Sequence, residues 1–149
     1  MKQEAANADL GRLNAFSGHW DTEGEMKANP SGPSTRFKAT DTYEWLAGGH
    51  FLLHRFDADM PDGNVQGVEI IGYNQEGKFY SMHSFDSFGK MTVMQARVDG
   101  DTWTYAGDGV RFTGGFRENG TVFAGLWELR SSEGISWQPW MEIQLRKSE

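Results

Sequence analysis

From Gly18 onward, apolar and polar residues alternate with a period of two, and Gly, Asn and Asp interrupt the alternation at short intervals. This pattern predicts antiparallel strands joined by tight turns. We place about ten of them, near 18–28, 35–47, 50–59, 65–73, 78–86, 90–98, 101–107, 109–117, 121–131 and 136–146. Only residues 7–17 have helical spacing. There Leu10, Leu13 and Phe16 share a face and Asp9 is positioned to cap.

Three turns set registers and so sort side chains between two faces. Gly48-Gly49 places Trp45 opposite Leu52 and Tyr43 opposite His54. One face then carries Phe37, Ala39, Asp41, Tyr43, Trp45, Leu52, His54 and Phe56. The other carries Arg36, Lys38, Thr40, Thr42, Glu44, Arg55 and Asp57. Asn119-Gly120 pairs Phe116 with Phe123 and Phe112 with Trp127, while Asp99-Gly100 pairs Ala96 with Trp103 and Met94 with Tyr105. In the last strand Trp137, Met141, Ile143 and Leu145 alternate with polar residues, and Trp140 is out of step. The hairpin at Asn74-Gln75-Glu76-Gly77 can be counted with three or four loop residues. Three put Glu69 and His83 on one face, and four separate them.

Sheets that are apolar on one side, with hairpin after hairpin and no crossover helix, cover that side by closing on themselves. The expected fold is therefore all-β, a closed antiparallel up-and-down barrel of about ten strands in one domain spanning residues 1–149, with a short N-terminal helix over one mouth. Barrels of this size can hold a small ligand.

Composition narrows the function classes. The net charge is −7 and the basic residues sit singly, so the clustered footprint of a nucleic-acid binder is missing. No run is apolar enough for a membrane span, and the first ten residues contain no apolar stretch, so a cytoplasmic protein is expected. Without cysteine, thiolate metal sites and Cys nucleophiles are excluded.

Several segments carry a family resemblance. They are Gly18-His19-Trp20 after the helix, Tyr43-Glu44-Trp45-Leu46 before Gly48-Gly49, Ile71-Gly72-Tyr73-Asn74 before Gly77, Phe85-Asp86-Ser87 before Gly89, and Ser132-x-Gly134-x-x-Trp137. In order and spacing the chain resembles a bacterial lipocalin-like (calycin) barrel family of unknown function. The resemblance implies a Trp20 packed at the closed base and an internal ligand. It supplies no catalytic residues. The more distant nitrobindin-like haem barrels use a histidine near the C-terminus, and this chain has none from Val122 onward. The resemblance therefore implies no haem, although His54 or His83 could ligate iron.

Candidate chemistry centres on Asp41, Tyr43 and His54. A carboxylate orienting an imidazole beside a phenol suits general acid–base catalysis. The same three residues suit hydrogen bonds to a ligand, or a buried network that satisfies itself. No metal site is expected, because His50 and His54 lie about 13 Å apart along a strand. No cofactor is expected either. The leading reading is a binder of a small apolar or aromatic molecule, lined by Tyr43, Trp45, His54, Phe56, His83, Met94, Trp103, Tyr105, Phe112, Phe123, Trp127 and Met141. The alternatives are a cofactor-free isomerase, cyclase or hydrolase using Asp41, His54 and Tyr43, and a filled barrel that acts through its surface, as a homodimer joined around Trp140.

Overall fold

A computed structural model describes residues 8–30 and 32–148. Residues 8–11 form one helical turn that tightens into a 3₁₀ stretch, Arg12–Phe16. Ten strands follow: β1 (Gly18–Met26), β2 (Thr35–Trp45), β3 (Leu52–Met60), β4 (Gly63–Asn74), β5 (Phe79–Asp86), β6 (Met91–Asp99), β7 (Thr102–Gly107), β8 (Val110–Arg117), β9 (Val122–Arg130) and β10 (Trp137–Lys147). Each strand pairs antiparallel with the next, and β1 pairs with β10, so the sheet closes and leaves no edge. Residue 7, the expected helix start, lies outside the described residues.

The helix plugs one end. Leu13 and Phe16 are buried, and the Phe16 ring touches Tyr43, Trp103, Phe116 and Phe123 at 4.9–5.5 Å. Trp20 is fully buried, and its indole N–H donates to the Phe16 carbonyl at 2.7 Å. Trp45 Nε1 donates to Asn14 Oδ1 at 2.8 Å, and the Tyr80 hydroxyl donates to the Asp9 carbonyl at 2.6 Å. Asp9 thus lies inside the first turn, its carbonyl held by Tyr80 and its carboxylate directed at Tyr73, and is not the expected cap. Arg12 adds a bond to the Gly100 carbonyl.

Two hairpins have the predicted registers, with Tyr43 opposite His54 and Phe112 opposite Trp127. Three details differ. The β6–β7 turn is Gly100-Asp101, with positive φ at Gly100, the Gly-first arrangement of a two-residue hairpin. Ala96 therefore faces Tyr105 and Val98 faces Trp103; the shift is two residues, so no side chain changes face. The β4–β5 loop has four residues between paired Asn74 and Phe79, held by Asn74 Oδ1 accepting from the Gly77 N–H at 2.7 Å. That count puts His83 outside. In β10 a bulge at Trp140 breaks the two-residue period. Trp137 therefore turns outward, where the Arg111 guanidinium lies 4.2 Å from its ring centre, while Met141 onward keeps the expected inward set.

Inside, rings need room that only glycine leaves. Gly114 and Gly125 face each other across β8 and β9 beneath the fully buried Phe112. A Cβ on Gly125 would stand 2.4 Å from Phe112 Cζ and 2.3 Å from the Thr113 carbonyl oxygen. The helix end is dry, with Leu13, Phe16, Trp20, Leu52, Trp103 and Phe123 all buried. Toward the far end the inward Met26, Phe56, Met94, Trp127 and Met141 are only half-buried.

This asymmetry sets a stability expectation. Phe112→Ala should cost about 3–5 kcal/mol in urea denaturation, and Trp127→Ala markedly less. Equal losses would show an interior packed evenly from end to end.

Candidate functional site

Midway along the barrel, three neighbouring strands point two carboxyl groups and an imidazole inward: Asp41 from β2, His54 from β3 and Glu69 from β4. Tyr43 lies directly across from His54, and Glu69 lies directly across on the other side. The Tyr43 and His54 rings stack at 4.1 Å with 7° between planes. His54 Nε2 is 2.6 Å from Asp41 Oδ1, the diagonal neighbour, and Nδ1 is 3.1 Å from Glu69 Oε1. From β1, the Thr22 hydroxyl donates to Asp41 Oδ2 at 2.5 Å.

Both ring nitrogens face carboxylates, so the geometry calls for two N–H donors and hence an imidazolium. Burial alone would lower the His54 pKa. The hydrogen bonds to Asp41 and Glu69, with the charges of both, outweigh burial and raise it to about 9. Tyr43 is raised well above the usual phenol value, chiefly by burial and then by the Asp41 charge. Tyr105, from β7 on another wall, is raised by burial and by the charge of Glu69.

Three polar groups here stay free. Among the described residues, Glu69 Oε2 and the hydroxyls of Tyr43 and Tyr105 take part in no hydrogen bond. Among the same residues, no buried side-chain N or O atom is sealed away without a partner, so each of these three is reached by accessible space. The His54 nitrogens, by contrast, are fully engaged, and neither is available to a metal or as a base.

The structure brings Asp41, Tyr43 and His54 together as their registers require. Trp103, Phe112 and Phe123 face inward within the packed core, while Trp45, Phe56, Met94, Tyr105, Trp127 and Met141 face inward and are half-buried. His83 is corrected: it is exposed on the outer face between Ile70 and Val93, because the four-residue loop puts it opposite in parity to Glu69. Sequence reasoning missed Glu69 as the second partner of His54. A signal was present in Pro61-Asp62-Gly63, a turn that pairs Met60 with Gly63 and thereby His54 with Glu69. Thr22 had no such signal, since no short turn joins β1 to β2.

Two cavities lie away from this network. A groove of about 480 Å³ opens on the outer face of β2–β5, lined by Thr40, Thr42, Arg55, Asp57, Gln66, Val68 and Phe85 among others. A crevice of about 90 Å³ sits beside the helix at Arg12, Ala15, Asp101, Trp103 and Phe116.

The network carries a pH signature. Because its folded-state pKa lies above the unfolded value of 6.5, His54 contributes fully below about pH 6.5, and the contribution is lost as pH rises through about 9. At about 1.4 kcal/mol per tenfold change in proton affinity, the contribution is on the order of 3 kcal/mol. The stability gap between wild type and His54→Gln should therefore be widest near pH 6 and shrink by pH 9.5. A gap that does not change with pH would refute a charged His54.

The model of the family described as "Protein of unknown function (DUF1579)" matches residues 8–123. Among solved structures, the chain is similar to the crystal structure of Rv2717c from M. tuberculosis, with a TM-score of 0.61 and 14% identity over 95% of this chain and 98% of that one. A de novo designed fluorescence-activating β-barrel matches with a TM-score of 0.46 and 14% identity over 91% of this chain and 96% of that one. No curated protein sequence matches the chain. At 14% identity, the Rv2717c likeness shows the barrel fold.

Proposed function

The chain belongs to the DUF1579 family, and from that premise we propose that it binds a small apolar or aromatic molecule inside the barrel, without catalysing its conversion. The observation that carries this reading is the set of three free polar groups, Glu69 Oε2 and the Tyr43 and Tyr105 hydroxyls, on inward-facing residues of a barrel whose far end carries the half-buried, inward Phe56, Met94, Trp127 and Met141. Apolar walls with a few placed polar groups are the usual composition of a ligand site, and methionines let such a wall adapt.

The dry, plugged helix end and the wetter far end support a calycin-type arrangement, with one closed base and one mouth. No helix among the described residues is long and apolar enough to cross a membrane, and we place the protein in the cytoplasm. The acid–base reading of Asp41, His54 and Tyr43 is disfavoured by the same geometry. A general base needs a free nitrogen near the substrate, and both His54 nitrogens are held by carboxylates.

The test is a titration with 1-naphthalenemethanol, followed by tryptophan fluorescence. One saturable site is expected. Trp127→Ala should weaken it about tenfold, worth about 1.4 kcal/mol, and Met91→Ala on the outer face should leave it unchanged. Binding lost in Val68→Asp but retained in Trp127→Ala would move the site to the outer groove and contradict the reading.

A further inference from the structure

We propose that the interior site selects an organic cation, an aromatic or apolar body bearing one ammonium or amidinium group that sits on Glu69 Oε2 within reach of the Tyr105 hydroxyl. The inference rests on the interior-binding reading above and adds the charge class of the molecule bound.

The first argument is a count of charges. Two carboxylates, Asp41 and Glu69, face the mid-barrel space, and among the described residues the only basic side chain paired with them is His54. Lys147 is exposed at the helix end, with its ammonium 5.3 Å from the Trp20 ring centre. Arg55 is exposed on the outer face, paired with Glu44, and Arg111 lies outside on Trp137 and Glu128. One cation therefore serves two buried carboxyl groups, and a carboxylate buried without a full counter-charge is costly.

The second argument locates that charge. Asp41 uses both oxygens, one on His54 and one on Thr22. Glu69 uses only Oε1. Its side chain is only 9% exposed, and Oε2 is a free acceptor that remains accessible. The free phenols of Tyr43 and Tyr105, both influenced by the Glu69 charge, can each accept or donate.

The third argument is the wall. The half-buried Tyr105 and Trp127 rings lie 6.0 Å apart, centre to centre, inside the barrel, with the fully buried Phe112 packed 4.8 Å from Tyr105. Ring faces attract cations, more strongly where water is excluded. A bare divalent ion fits poorly, because it needs six or more oxygens and only one charged oxygen is free. The chain's net charge of −7 also favours the approach of a cation.

Three naphthalene probes of matched shape separate the possibilities, each titrated at pH 7 by tryptophan fluorescence: 1-naphthylmethylamine (cationic), 1-naphthalenemethanol (neutral) and 1-naphthoate (anionic). The amine should bind at least tenfold more tightly than the alcohol, and the naphthoate should show no saturable binding. Glu69→Gln should remove the amine's advantage while leaving the alcohol's affinity within twofold. If Glu69→Gln does not fold by circular dichroism, Tyr105→Phe provides the readout. It keeps the ring, deletes the hydroxyl, and should weaken the amine about threefold more than the alcohol. An alcohol that binds as tightly as the amine, or a naphthoate that binds more tightly, overturns the cation proposal and leaves interior binding standing. Failure of all three probes overturns both.

Discussion

A closed ten-strand ladder permits only one register. Each strand is hydrogen-bonded on both sides, and the side-chain period is two, so a one-residue slip between any pair would expose an entire inner row to water. The barrel's contents follow from this constraint. Trp20, Leu52, Phe112 and Phe123 must face one another, and Gly114 and Gly125 must stay bare to make room. The one irregularity, at Trp140, changes parity near the start of β10, where the strand can turn Trp137 outward without disturbing Met141, Ile143 and Leu145.

The same constraint forces Asp41 and Glu69 indoors, and their cost organises the middle of the barrel. Two carboxylates in a low-dielectric interior are tolerable when each finds a donor, and His54, one strand from each, serves both. Thr22 takes the remaining oxygen of Asp41. The network thereby ties β1 through β4 together by side chains as well as by backbone. Its asymmetry matters for function, because Asp41 is saturated and Glu69 is not. Below the network, the helix plug and aromatic stack give rigidity; beyond it, methionines and half-buried rings give an adaptable wall.

Much of this was legible in the chain. All ten strands fall within a few residues of where alternation places them, and the Gly48-Gly49 turn alone was enough to set Tyr43 against His54. What was not legible has local physical causes. Which of two adjacent residues takes positive φ decides a hairpin's centre, and at Gly100 the glycine leads the turn instead of closing it. Loop length at 75–78 was ambiguous until Asn74 was seen to brace it, and His83 changed face with the answer. A bulge leaves no trace in a period-two pattern except a misfit, which is how Trp140 stood out. The influence of the Glu69 charge on Tyr105, which stands on another wall, depends on how the strands tilt and stagger in closing, and no single hairpin encodes it.

The central claim is that His54 is a doubly hydrogen-bonded imidazolium held between two buried carboxylates. It is tested most directly by nitrogen-15 NMR of the imidazole ring at pH 7.5. The account predicts that Nδ1 and Nε2 both carry protons and shift together only as pH approaches about 9. A single protonated nitrogen at pH 7.5, the mark of a neutral tautomer, would contradict it.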